Sequence, residues 1–224
     1  MINRFQYQFQ ANYLPGDVQI YSHVTRPFVA LNSRSAMWFS IPWINVALPN
    51  RSGHSGIGDL SIGGGYVVHE NLVSRLTTVA AGFEVFMPTG DPAIGTGDGR
   101  WILQAGGAVY FNPTDLFPVY LSGGYRHSIA DGDEPGSAQV RTITLNVQTF
   151  HILPKRFFLA FIPSLFVDLD RDQTAFTFAI GAGRAMSRRL ALQASYVQYL
   201  LGSETFSRGF QLGLTYFWGP DHEL

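Results

Sequence analysis

The sequence predicts an all-β chain, a transmembrane antiparallel up-and-down β-barrel of about twelve strands, with residues 1–218 forming a single barrel. Three observations predict it. Of the 224 residues, 46% are hydrophobic and only 14% charged, with 24 Gly, 18 Phe and 10 Tyr, and the mean hydropathy is +0.07. A soluble domain normally carries nearer ~25% charged residues, so something other than water must cover much of this surface. No run of about 18 apolar residues is present to make a transmembrane helix. The apolar residues instead alternate with Gln, Thr, Ser and Gly, the period-2 pattern of strands with two unlike faces. Hydrocarbon accepts only helices and closed sheets, which leaves the barrel.

The first strand sets Phe5, Tyr7, Phe9, Ala11 and Tyr13 against Arg4, Gln6, Gln8, Gln10 and Asn12, an aromatic lipid face and an amide-lined interior. Turn signals follow at Leu14 to Asp17, Asn32 to Arg34, Pro49 to Gly58 and Glu70-Asn71. A second clear strand opposes Val79, Ala81, Phe83, Val85 and Met87 to Thr78, Ala80, Gly82 and Glu84. Thr89 to Gly99 is a loop, Trp101 to Phe111 a strand, and Asn112 to Asp115 a turn. Beyond the loop at Asp131 to Ser137, Ile143, Leu145 and Val147 oppose Thr142, Thr144, Asn146 and Gln148. Pro154-Lys155, Asp170 to Asp172, Ser187-Arg188 and Gly202 to Glu204 mark the remaining turns. The closing strand sets Phe210, Leu212, Leu214, Tyr216 and Trp218 against Gln211, Gly213 and Thr215. About eleven turns give about twelve strands, the even number that bacterial barrels require.

From Pro49 onward, long and short connections alternate, as extracellular loops and periplasmic turns do. On this assignment Asp17, Asp91, Asp98, Asp131, Asp133, Glu134, Asp170, Asp172 and Glu204 fall outside, and Arg34, Arg75, Lys155, Arg156, Arg188 and Arg189 fall on the inner turns. No connection is long enough for a plug or lid, and residues 219–224 form a short periplasmic tail. A barrel of this strand number has a narrow lumen. Parity places Glu84 and Arg126 inside with one strand between them, where they form or flank a constriction or brace the wall as a salt bridge. Phe86, Tyr110, Tyr120 and Phe217 fall on the same inward parity, with Gln6, Gln8, Asn146 and Gln148 as polar lining. These rings either pack the lumen closed or form a track for an apolar solute. The run from Phe157 to Val167 is apolar on both faces, and Pro163, lacking an amide donor, is expected to break its ladder and open a lateral gap.

The octapeptide from Gln211 to Trp218, in which Gln211, Gly213, Tyr216 and Trp218 hold the key positions, resembles the closing strand of outer-membrane barrels. That resemblance implies a place in the bacterial outer membrane and recognition by its barrel-assembly machinery. The stretch Gly56-Ile57-Gly58-Asp59-Leu60-Ser61-Ile62-Gly63-Gly64-Gly65-Tyr66, with Phe83 to Asp91 and Gly95-Thr96-Gly97, resembles a family of outer-membrane barrels described as transporters of the meta-cleavage pathway of phenol degradation. The motifs cover the middle third of the chain. They imply a small channel for modest, apolar or aromatic molecules and supply no catalytic residue. Met1 to Arg4 lead straight into a strand pattern with no signal-peptide character, so the sequence reads as a mature chain with an added initiator Met.

Other chemistries fare worse. A formal charge of −1 with scattered basic residues argues against nucleic acid. Gly95 to Gly99 precede a strand, whereas a phosphate cradle needs a helix N-terminus. Asp168, Asp170 and Asp172 resemble half a calcium loop, but Gln173 stands where the glycine belongs and Ala179 where the bidentate acid belongs. That leaves a solvated acidic loop or loose divalent bridging to lipopolysaccharide. No hydrolase motif surrounds any of the six histidines, and His23 beside Ser22 is the nearest remnant. No catalytic residue, metal or cofactor is therefore expected. The reading is a monomeric channel for passive passage of small, hydrophobic or aromatic molecules, in contact with outer-membrane lipid and lipopolysaccharide. The alternatives are a filled anchoring barrel or a sleeve for a partner protein, and then a lipid-modifying barrel enzyme.

Overall fold

A computed structural model describes residues 3–49, 52–71, 76–114, 117–130, 139–202 and 208–218. The expected tail at 219–224, the acidic residues Asp131, Asp133, Glu134 and Glu204, and Arg75 lie outside these. The strands are β1 (Arg4–Tyr13), β2 (Gln19–Ala30), β3 (Ser35–Ala47), β4 (His54–Ile57), β5 (Ser61–Glu70), β6 (Leu76–Phe86), β7 (Trp101–Phe111), β8 (Val119–Ala130), β9 (Arg141–Leu153), β10 (Phe157–Asp168), β11 (Gln173–Ala185), β12 (Leu190–Gly202) and β13 (Arg208–Phe217). Neighbours in sequence pair antiparallel, except that β4 and β5 both pair with β3, and β1 closes the sheet by pairing with β13 on one side and β2 on the other. The closed wall has twelve staves.

The thirteenth strand revises the reading of Pro49 to Gly58 as loop. Residues Trp43–Val46 of β3 pair with β4, and Ser35–Ser40 pair with β5. Thus β4 and β5 are successive parts of one stave, jointed at Gly58-Asp59-Leu60. The joint is crowded: a Cβ at Gly58 would lie 2.8 Å from Ile44 Cδ1 and 3.0 Å from Thr96 O.

The faces divide as the alternation predicts. Phe83 is 55% exposed on the outside while its neighbour Glu84 is 8% exposed within. Large apolar side chains stand exposed around the wall, among them Ile62, Tyr125, Leu145, Phe161 and Leu212. Each would forgo roughly 1.5–3 kcal/mol in water, so hydrocarbon is the medium in which this surface is stable. The buried apolar residues of the described chain are mainly alanines, such as Ala11, Ala36, Ala160 and Ala175, rather than the packed core of a soluble sandwich.

Two prolines interrupt ladders without shifting them. The β9–β10 pairing passes from Phe161↔Thr149 to Ser164↔Asn146, skipping Ile162 and Pro163. Opposite, β11 pairs Pro163 with Phe178 in an unbroken run. The expected ladder break is present, but the register resumes unchanged, so the staves stay side by side. In the same way β2–β3 skips Arg26 and Pro27 between Thr25↔Ile41 and Phe28↔Trp38. Proline has no amide to donate across either gap.

Candidate functional site

Directly paired residues of antiparallel strands point to the same face, so the registers trace spirals around the lumen wall. One inward spiral runs Arg4, Phe28, Trp38, Gly63, Glu84, Gln104, Arg126 across seven staves. The next, one step nearer the short-turn end, runs Ala30, Ala36, Gly65, Gly82, Gly106, Gly124. A spiral of long charged and aromatic side chains thus borders one with almost no side chains. Beyond it on β6 to β9 come Ala80, Ala108, Ser122 and Asn146, and then Thr78, Tyr110, Tyr120 and Gln148. The bare zone opens a chamber of about 510 Å³, bordered by Arg4, Arg26, Phe28, Trp38, Tyr120 and Phe166. Gly106 and Gly82 at its floor are required, since a Cβ at Gly106 would lie 2.4 Å from Gly123 O and one at Gly82 would lie 2.8 Å from Gly64 O.

Glu84 and Arg126 share a spiral with Gln104 between them, and each meets another partner. Glu84 Oε1 accepts the Ser61 hydroxyl at 2.5 Å and lies 3.6 Å from Arg26 Nη2. Arg26 Nε in turn donates to Ser40 Oγ at 3.3 Å, at the place where Pro27 leaves the ladder open. Arg126 Nη2 donates to Asp98 Oδ2 at 2.8 Å, and its guanidinium lies 4.6 Å from the centre of the Phe86 ring. Arg4 lies over the Phe28 ring at 4.1 Å, and Phe28 packs on Trp38 at 5.7 Å. The Trp38 indole covers Gly63, where a Cβ would fall 2.3 Å from its ring.

Asp98 reaches the lumen because the 87–100 connection is folded, which the expectation of a plain loop did not foresee. Asp59, at the joint between β4 and β5, accepts the Gly90 amide at 2.9 Å and the Asp98 amide at 2.7 Å. Thr89 Oγ1 accepts the Leu60 amide and donates to Gly58 O, each at 2.9 Å. Asp91 caps a short 3-10 turn, Pro92–Ile94, by accepting from Ala93 N. Gly90 and Gly97 pass back to back, with a Cβ on Gly90 only 2.7 Å from Gly97 Cα. Thr96 is buried beneath them. The motif residues Gly58, Asp59, Thr89, Gly90, Asp91, Thr96 and Gly97 are those that hold this loop.

The remaining candidates spread along the lumen. Gln6 stands opposite Arg26 and Thr215, Gln8 opposite Val24 and Gly213, and Phe217 opposite Arg4. Asn146 pairs with Ser122 and borders the chamber, while Gln148 pairs with Tyr120. On β13, Gln211 accepts from Ser195 Oγ at 3.3 Å and Gly213 leaves room for Gln193, whose Cγ would lie 2.8 Å from a Cβ there. Tyr216 is exposed on the outer face, and the Trp218 amide donates to Asn3 O at 3.2 Å. Arg4 was legible as inward by parity, but Arg26 and Trp38 were not singled out, and Asp98 was read only as one of the outer-side charges. Pro27 disturbs the pattern around Arg26, Trp38 is defined by a glycine on another strand, and Asp98 by a loop.

Ser22 and His23 lie on opposite faces of β2, so they form no nucleophile–base pair. His23 Nδ1 instead meets the Tyr7 hydroxyl at 2.6 Å. Asp168 accepts the amides of Asp170 and Arg171, and Asp170 pairs with Arg141 at 2.6 Å. Among the described residues no group of three or more His, Cys, Asp or Glu is placed to hold a metal.

No protein-family model and no curated sequence matches the chain. Solved structures do. An outer-membrane channel from Pseudomonas putida F1 superposes with a TM-score of 0.74 at 17% identity, over 97% of this chain and 94% of that one. The chain has the fold of an outer-membrane β-barrel. The NanC porin gives a TM-score of 0.65 at 10% identity, over 94% and 98% of the two chains. The KdgM porin, solved in complex with disordered oligogalacturonate, gives 0.64 at 10% identity, over 96% and 99%. The likeness is one of fold and agrees with the barrel architecture that the family resemblance implies.

Proposed function

We propose that this barrel is an outer-membrane channel giving passive passage to small molecules with apolar or aromatic bodies. The observation that carries the reading is the chamber of about 510 Å³ left by the Ala36-to-Gly124 part of the bare spiral inside a sheet that closes on itself. Such a volume lies within the ~300–1,000 Å³ of small-molecule sites. On this reading Glu84, Arg126 and Phe86 form the constriction on the long-loop side. Tyr110, Tyr120 and Phe217 line the exit side, and Gln6, Gln8, Asn146 and Gln148 offer hydrogen bonds along the way. Lipid and lipopolysaccharide cover the outer face, and the β13 octapeptide addresses the assembly machinery. The chain acts as a monomer.

The network of Arg26, Glu84, Ser61 and Ser40 also braces the wall, as a filled anchoring barrel would need. Planar-bilayer recording and solute uptake into liposomes separate the two. The channel reading expects unitary currents and uptake of small aromatic solutes; silence in both assays would leave the scaffold.

A further inference from the structure

We propose that the lumen chamber binds one-ring aromatic monocarboxylates, with the carboxylate on the outer edge of the Arg4 guanidinium and the ring over the glycine floor. The inference rests on the channel reading and names the substrate class of the same site. It follows from charge. Three guanidinium groups and one carboxylate border the chamber, those of Arg4, Arg26, Arg126 and Glu84. Glu84 lies beside Arg26, and Asp98 answers Arg126 from above. Among the described residues no carboxylate lies within ion-pair distance of Arg4, whose partner is the face of Phe28.

Stacking occupies the flat face of a guanidinium and leaves its N–H edge open, a planar fork that matches the two oxygens of a carboxylate. Arg26, opposite Gln6 two residues along β1 from Arg4, adds positive potential to the same region. An unpaired cation held off bulk water is costly until an anion joins it, so the chamber favours a solute that brings one. The rest of the space suits a flat apolar body: Gly106 and Gly124 present bare backbone, the Trp38 ring reaches over Gly65 and Gly82, and Phe28, Tyr120 and Phe166 stand at its borders. Neutral solutes leave the charge unanswered, and an acid without a ring leaves the apolar slot empty.

The test uses the full chain in two formats. Calorimetric titration in detergent micelles measures binding whether or not the barrel conducts, and planar-bilayer recording measures block of chloride current. The ligands are benzoate, benzamide with the same ring but no charge, and acetate with the charge but no ring. Benzoate is expected to bind and to reduce current where benzamide and acetate do neither. Arg4→Gln is expected to weaken benzoate about tenfold in the calorimetric titration, which reads binding separately from any change in chloride current. Arg4→Lys, which keeps the charge without the fork, should fall between. Heat-dependent migration in gels confirms that each variant remains folded. Benzoate binding no tighter than benzamide, or unaltered by both substitutions, overturns the proposal. Benzoate binding lost in Arg4→Gln without any current from the native protein supports the site and removes the channel.

Discussion

Glu84 is the residue on which the lumen's charge turns. It is buried, accepts the Ser61 hydroxyl and faces Arg26. Removing one partner of a buried pair can cost ~3–5 kcal/mol, but the Arg26 side chain is 34% exposed, so solvent screening reduces the loss to about 1 kcal/mol. Glu84→Gln keeps the shape and an acceptor for Ser61 while removing the negative charge. The barrel should stay folded, and its reversal potential in a salt gradient should move toward anion preference. An unmoved reversal potential would mean that permeating ions do not sense this position. Residues of this kind were readable because parity alone sends Glu84 and Arg126 inward. Their true partners were not, since Arg26 and Asp98 come from a proline-broken strand and a folded loop, distant in sequence.

At the scale of elements, the 87–100 loop and the joint of β4 with β5 act as one device. Asp59 holds two of its amides, and hydrogen bonds to an ionised acceptor contribute ~1.5–3 kcal/mol each. Asp59→Ala should release the loop, free Arg126 from Asp98 and turn a steady current into a noisy, flickering one; current traces indistinguishable from the native protein would count against the clamp. The glycine- and aspartate-rich motifs were visible in the sequence, yet they read as an ordinary loop, because no local pattern reveals that Asp59 and Gly90 meet. The strand that closes the barrel is the opposite case. Its alternation fixed both faces of β13, from exposed Phe210, Leu212 and Tyr216 to inward Gly213. Replacing Tyr216 and Trp218 together by Ala should lower the amount of barrel assembled in cells, with refolding from denaturant into detergent preserved. Equal loss in both would assign those rings to stability instead of recognition.

For the whole molecule, closure was the most legible property and the lumen's shape the least. Low charge, period-2 alternation and turn spacing lead directly to twelve staves, because lipid permits few other solutions. The bare spiral needs register as well as parity: Gly65, Gly82, Gly106 and Gly124 become one surface only once four strands are aligned. Those glycines suggest curvature when read singly and a chamber when read together. Of them, Gly124 is the one that tolerates a side chain, since a Cβ there would meet nothing nearer than Ala105 O at 3.5 Å and would project beside Gln104 toward the lumen. Single-channel recording of Gly124→Leu beside the native barrel therefore tests the central claim most directly. Discrete currents are expected from the native protein and, in a folded variant, unitary conductance lowered by about half or more as the chamber fills; equal conductance in the two would mean that ions do not pass through the chamber.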